Sequence, residues 1–345
     1  MENWPNTQTK INFVIMGFLT ILFFAPVFAD DNTEEVIESV TIIGSAEDQK
    51  KLAGSGQIIS NADLLKAMDT DIQKILTAVP GVYMRTEEGY GLRPNISIRG
   101  TAIERSAKVA IMEDGVLVAP SPYTSSSAYY FPTTGRIHSV EVLKGPAAVS
   151  QGPQTIGGAI NLISTPIPNA PSGKFVQELG ENGMMRTHAY YGGTSGNFGG
   201  LVEVHEHESD GFDSIANVGG DTGFDKSDLM VKARYESGAH SLTLKMVDID
   251  ENSNQSYVGL SQASFNANPR VRYGATAYDK MMNDGEQTSL TYVGDFENFN
   301  VQFTSWQNDY HRDWFKVSDF NNKKAHGEQD DINELISDAN NGSAH

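Results

Sequence analysis

SVEVLKGPAAVSQGPQTIGGAINLIS, residues Ser139 to Ser164, decides how the rest of the chain is read. Val140 and Val142 alternate with Glu141 and Leu143, which is the period of a strand. Gly145-Pro146 breaks the run. A short Ala-rich turn follows, and Gly157-Gly158 opens a second apolar run from Ala159 to Ile163. The backbone must turn tightly twice between two strands, and glycine supplies that freedom where a side chain would clash. On packing grounds this is a small buried strand-turn-strand unit with no catalytic group.

Outward from that unit, the N-terminal side is compact in texture. Residues 30–56 are polar, acidic and glycine-containing, a flexible leader. Within it Glu38 to Gly44, ESVTIIG, is a short β-prone run with no partner strand nearby, suited to adding itself to another protein's sheet edge. Ser60, with Asp63 three residues on, predicts a capped helix over Asn61 to Met68. A second helix, Asp71 to Ala78, is stopped by Pro80-Gly81 and places Ile72, Ile75, Leu76 and Val79 on one core-facing side. Val82 to Met84, Asn95 to Ile98 and Val109 to Met112 read as short strands, the last closed by Asp114-Gly115. Two stretches, Arg85 to Asn95 (RTEEGYGLRPN) and Ala119 to Thr134 (APSPYTSSSAYYFPTT), are loops whose tyrosines either pack on a wall or touch a ligand.

After Pro166 and Pro168 the texture becomes that of alternating strands. Leu229, Val231, Ala233 and Tyr235 face one way, with Lys232, Arg234 and Glu236 facing the other. Leu242, Leu244 and Met246, and then Phe299, Val301 and Phe303, repeat the pattern. Short turns at 195–197, 237–240 and 295–298 alternate with long connections at 211–226 and 250–286. Apolar-out, polar-in strands joined by alternately short and long connections are how membrane barrels are built. About seven such strands are present.

The chain has 345 residues, enough for two domains, and no cysteine, which excludes a disulfide framework or a thiolate metal site. Acidic residues outnumber basic ones 44 to 25, for a net charge of -19, which argues against nucleic acid as a partner. Residues 1–29 read as an export signal: Lys10, an apolar run from Ile11 to Ala25, and Val27-Phe28-Ala29 for cleavage. The run is shorter than the ~20 residues of a typical spanning helix, with an uncleaved anchor as the alternative. The mature chain is expected to begin at Asp30.

The segments IQKILTAVPGV, ISIRG, AIMEDGVLV and VEVLKGPAAV occur in an order that resembles the plug domain of TonB-dependent outer-membrane receptors, over residues 38–166. Lys144 departs from it, standing where an arginine is more usual, and lacks that residue's two-pronged grip. The resemblance implies an α+β plug domain over 57–166, followed from 167 to 345 by the N-terminal part of an antiparallel transmembrane β-barrel. A complete barrel of this kind has about 22 strands, so the chain reads as truncated inside an extracellular loop. The resemblance also implies that Val40, Thr41, Ile42 and Ile43 form the segment through which the TonB energy-transducing protein pulls.

Four stretches, GYGLRPNISIRG, SPYTSSSAYYFPTTGR, NQSYVGLSQASFNANPRVRYGATAYDKM and DYHRDWFKV, resemble the subgroup likened to ferric citrate receptors. The implied function is active import of a ferric chelate, ferric citrate or another siderophore, in the outer membrane of a Gram-negative bacterium. Haem, cobalamin and glycans remain alternatives, with a passive pore, adhesin or barrel enzyme further off. The expected ligand site combines Tyr90, Arg93, Tyr123, Tyr129 and Tyr130 of the plug with Arg270, Arg272, Arg312 and Trp314 of the barrel half, arginine forks and tyrosine walls suiting an anionic chelate. Arg312 and Trp314 could instead belong to an interfacial aromatic girdle. Implied partners are the energy-transducing protein, the small-molecule metal chelate and outer-membrane lipid. No catalytic residue or cofactor is expected, iron entering only with the cargo. His205-Glu206-His207-Glu208 has zinc-like spacing without a visible third ligand. Asp248 to Asn254 starts like a calcium loop but has Ser253 and Gly259 where glycine and glutamate belong.

Overall fold

The computed structural model describes residues 41–43, 50–52, 54–67, 71–118, 130–256 and 258–317. The export signal, Val40, Tyr123 and Tyr129 lie outside the described residues.

The first unit is built on β1 (Ser55–Ile59), α1 (Asn61–Ala67), α2 (Ile72–Thr77), β2 (Val82–Arg85), β3 (Asn95–Ile98), β4 (Val109–Glu113), β5 (Val116–Leu117), β6 (Ile137–Lys144) and β7 (Gly158–Ser164). Five of the strands form a sheet in the order β1-β6-β7-β4-β5, with β4 parallel to β7, while β2 and β3 pair separately. β1 starts at Ser55, ahead of the expected plug start at residue 57. The capping box holds: Asp63 N–H donates to Ser60 Oγ and Ser60 N–H to Asp63 Oδ2. Ile72, Ile75, Leu76 and Val79 are all buried, packed with Ile96, Ile98, Val140, Val142, Ile160 and Leu162. The hairpin between β4 and β5 turns at Asp114 (φ 50°) and Gly115 (φ 77°), both left-handed, as a two-residue hairpin turn demands.

The second unit is a seven-stranded sheet in which every neighbouring pair is antiparallel. Its strands are β8 (Ser172–Leu179), β9 (Met185–Ser195), β10 (Phe198–Ser209), β12 (Phe224–Ser237), β13 (His240–Ser253), β15 (Lys280–Phe296) and β16 (Phe299–Phe315). Between them lie β11 (Ser214–Ile215), α3 (Gln262–Ala267) and β14 (Val271–Arg272). Two-residue turns at 196–197, 238–239 and 297–298 close one end, as expected. At the other end the strands run further than their apolar alternation: β12 begins at Phe224, β13 continues to Ser253 and β15 begins at Lys280. The calcium-like run is therefore strand, with Asp248, Asp250 and Asn252 on one face of β13.

The outer face is divided along its height. Near the short turns it exposes Phe198, Tyr235, Leu242, Leu244, Met246, Leu290, Phe299 and Phe303. Toward the long loops the same face carries Glu206, Asp225, Asp250, Asp284 and Asp309. A strand of 17 residues such as β15 or β16 spans about 55 Å at ~3.3 Å per residue. A membrane-spanning strand needs only ~9–11 residues, so strands of this length exceed that requirement.

The plug sheet packs on the inner face through buried ions. Arg136 pairs with Glu113 at 2.6 Å and with Asp228 of β12 at 2.7 Å. Lys245 of β13 reaches Glu113 at 2.6 Å and Asp114 at 2.5 Å. Thr165 Oγ1 donates to Glu203 Oε1 at 2.6 Å, and Lys226 Nζ to the Phe131 carbonyl at 2.7 Å.

Candidate functional site

Above the plug, its loop Thr86–Leu92 and the connections 210–223 and 254–272 line a half-open cavity of about 690 Å³. Tyr90 is part of its lining, with its ring 5.3 Å from Phe212 and 4.7 Å from Phe224. Gly89 allows this approach, because a Cβ there would lie 2.3 Å from the Phe212 ring. Glu88 shapes the loop by accepting the N–H groups of Tyr90 (2.6 Å) and Arg93 (3.1 Å). Burial raises its carboxyl above the usual range despite those donors. The two long connections are tied together where β11 runs parallel to β14, Ser214 opposite Val271 and Ile215 opposite Arg272. Within the second connection α3 is capped by Ser261, whose side chain accepts from Ser264 N–H, and brings Phe265 to the cavity wall.

The nine expected ligand residues divide into groups. Tyr90 and Arg272 line the cavity. Arg272 is held by the carbonyls of Asn254 and Thr276, and burial lowers its proton affinity. Arg270 is exposed beside it, its carbonyl accepting from Ser214. Arg93 is elsewhere: 2% exposed, its guanidinium is ion-paired with Glu251 of β13. Tyr130 is also buried in the seam between plug and sheet, where Arg136 donates to its hydroxyl at 3.0 Å and burial raises its pKa well above the ordinary value.

Arg312 and Trp314 lie near the top of β16 on the inner face with Asn308, which donates to the Leu117 carbonyl of the plug. That placement removes them from an outward-facing aromatic girdle. Around the Trp314 ring stand Arg312 at 5.9 Å, Arg105 at 6.0 Å and Lys316 at 3.8 Å. Arg105, Lys316, Glu88, Phe212 and Asp213 escaped sequence reasoning, since each sits in a loop or strand end with no periodic signal. His188, His205 and His207 share an inner face with ring centroids 5.7 and 6.4 Å apart. Among the described residues no group of three or more His, Cys, Asp or Glu is arranged to hold a metal ion.

Ile42 and Ile43 of the expected coupling segment have no partner strand and are held by a side chain. Ile42 N–H donates to Glu141 Oε2 at 2.7 Å and Ile43 N–H to Glu141 Oε1 at 3.0 Å. Ile43 is 4% exposed. Its donors are taken by a side chain of β6.

Residues 48–159 match the model of the TonB-dependent receptor plug domain. The chain is 23% identical over 300 residues to the vitamin B12 transporter BtuB of Photobacterium profundum, covering 82% of this chain and 49% of that one. To the probable TonB-dependent siderophore receptor PirA of Acinetobacter baumannii it is 26% identical over 191 residues, 48% of this chain and 24% of the relative. The unliganded ferric citrate transporter FecA superposes with a TM-score of 0.66 at 22% identity, over 78% of this chain and 42% of that structure. The chain thus spans about half or less of the length of these relatives. Residues 48–159 thus match a TonB-dependent receptor plug domain, and with the antiparallel sheet that follows them they share the fold of part of that solved structure.

Proposed function

We propose that the protein is a TonB-energised outer-membrane importer of a small-molecule metal chelate, a ferric siderophore above all. The observation that carries this reading is the half-open cavity above the plug, lined by Tyr90 of the plug loop and by the tied pair of long connections. The barrel crosses the outer membrane of a Gram-negative bacterium, and Val40 to Ile43 is where the energy-transducing protein takes hold. The siderophore-receptor relatives support the iron reading, and they are receptors and transporters rather than enzymes.

An anionic chelate such as ferric citrate would meet Arg272, Arg270 and Arg312 rather than Arg93, whose fork is committed to Glu251. Cobalamin is the second reading. The match to BtuB runs over most of the chain, and the cavity sets an apolar part, Leu92, Phe212, Leu260 and Phe265, beside Glu87, Glu88, Asp213 and Arg272. The test is titration of the full-length receptor with ferric citrate, a neutral ferric hydroxamate and cyanocobalamin. Ferric citrate is expected to bind, and Arg272→Ala to weaken it about tenfold, the scale of one lost charge-assisted hydrogen bond. Binding of cyanocobalamin alone would replace the iron reading with the second one.

A further inference from the structure

The loop that carries Tyr90 into the cavity has little backbone order of its own. Among the described residues, 86–93 make no backbone-to-backbone hydrogen bond. Tyr90 stands between two glycines, of which Gly91 takes a left-handed φ of 77°. One side chain supplies the order that the backbone lacks. Glu88 accepts from Tyr90 N–H through Oε2 at 2.6 Å and from Arg93 N–H through Oε1 at 3.1 Å. The carboxylate therefore closes the loop from inside, using both of its oxygens.

The two residues it fixes have different roles. Tyr90 lines the cavity beside Phe212 and Phe224. Arg93 is 2% exposed and carries its guanidinium to Glu251 of β13. β13 repeats this division, since Ser253 lines the cavity while Glu251, on the same inner face, anchors the plug loop. Beneath the loop, a Cβ at residue 91 would come within 2.3 Å of Asp71 Oδ1. Asp71 cannot retreat without uncapping α2, because that oxygen accepts the Gln73 N–H at 2.8 Å. The neighbouring Glu87 makes other contacts: it accepts from Asn95 Nδ2 at 2.8 Å and pairs with Arg105 at 3.2 Å.

We propose that Glu88 is a positioning residue for cargo binding. It acts through Tyr90 and Arg93, holding the cavity-facing ring and the fork that grips β13 in a single arrangement. The ring is thereby set at a fixed place relative to the barrel wall. This rests on reading the cavity as the cargo site. The role needs two acceptor oxygens on one side chain: a carboxylate has two, a glutamine amide one and alanine none.

Amide hydrogen exchange in the full-length receptor, resolved to single residues over 86–93 by mass spectrometry, reads the positioning with no cargo present. Glu88→Ala is expected to speed exchange of the Tyr90 and Arg93 amides at least tenfold, the scale of a hydrogen bond to a charged acceptor. Glu88→Gln should give a smaller rise, because the amide keeps one acceptor oxygen. Glu87→Gln, which removes a neighbouring charge but no acceptor from either amide, should leave both rates as they are. Exchange in β6 and β7 checks the fold; if Glu88→Ala speeds it too, Glu88→Gln decides. Affinity is then measured with ferric citrate, a neutral ferric hydroxamate and cyanocobalamin. It is expected to fall about tenfold in Glu88→Ala and severalfold in Glu88→Gln, the order of the exchange rates.

Unchanged exchange of both amides in a folded Glu88 variant overturns the positioning, as does an equal rise in Glu87→Gln. Faster exchange with unchanged affinity for a probe that binds the parent overturns the role in cargo binding. Failure of the parent to bind any of the three probes counts against the cavity as the cargo site. The exchange series decides the positioning in that case as well.

Discussion

Replacing Lys245 by methionine removes one cation from beneath the plug while keeping most of the side-chain volume. Lys245 lies 2.6 Å from Glu113 and 2.5 Å from Asp114. Both carboxyls are fully buried, and burial by itself would raise them. At Glu113 the fields of Arg136 and then Lys245 outweigh it and hold the group down at about 2. At Asp114, Lys245 and then Lys232 hold it well below the carboxylate range. The displacement of Glu113 from 4.5 to about 2 corresponds to about 3 kcal/mol at ~1.4 kcal/mol per unit. Removing one member of a buried ion pair costs about 3–5 kcal/mol. Lys245→Met should therefore destabilise plug seating by roughly 4 kcal/mol at pH 7.

The pH dependence gives the sign. A depressed carboxyl contributes its full stabilisation above the ordinary range and loses it as pH falls toward its folded value, here between about 4.5 and about 2. In the variant the two carboxyls rise, take up protons at higher pH and relieve the repulsion that the lysine had offset. The gap between parent and variant should narrow on going from pH 7 to pH 4. Urea-induced release of the plug, followed by trypsin cleavage of the full-length receptor, measures that gap at each pH. A gap below about 1 kcal/mol at pH 7, or one that does not change with pH, would refute the reasoning.

Three further outcomes are expected. Mass analysis of membrane-extracted protein should find an N-terminus at Asp30, and recovery of the Met1 segment would defeat the export reading. Ile42→Pro should abolish uptake while ligand binding persists, and normal uptake would move the coupling segment elsewhere. Gly135→Ala should loosen the plug by about 1–3 kcal/mol, the range for an overfilled core. Its Cβ would meet His205 Nε2 at 2.1 Å and Arg186 Nη1 at 3.0 Å. An unaltered urea midpoint would show that the two side chains yield freely.

The strands and turns of the second unit were legible because an outward apolar row against an inward polar row leaves a period of two. That signal stops where the outer face turns acidic. Asp225 and Asp284 look like loop residues although they lie in continuous ladders, Asp225 opposite Asn252 and Asp284 opposite Asp250. Backbone hydrogen bonds extend a strand without any mark on the side chains. The plug helices were legible through caps and an apolar face. What could not be read was pairing over long separations. Arg93 was an arginine in a loop until Glu251 appeared beside it. Glu113 was one residue of a hairpin until Arg136 and Lys245 converged on it. The leader looked unpartnered because its partner is a side chain on β6, not a strand.

The order of strands in the plug sheet also governs timing. β1 joins β6 by pairing Ser55 with Lys144, and β4 joins β7 by pairing Val109 with Gly158. Each contact must close a long loop before any burial rewards it, which slows folding. The barrel strands have the opposite arrangement, since turns such as Gly196-Asn197 bring β9 and β10 together over two residues. The plug core cannot close until the chain is available as far as Ser164, and β8 follows within a few residues. Even a closed plug holds Asp114 without Lys245 until β13 arrives. The second unit thus completes the charge balance of the first.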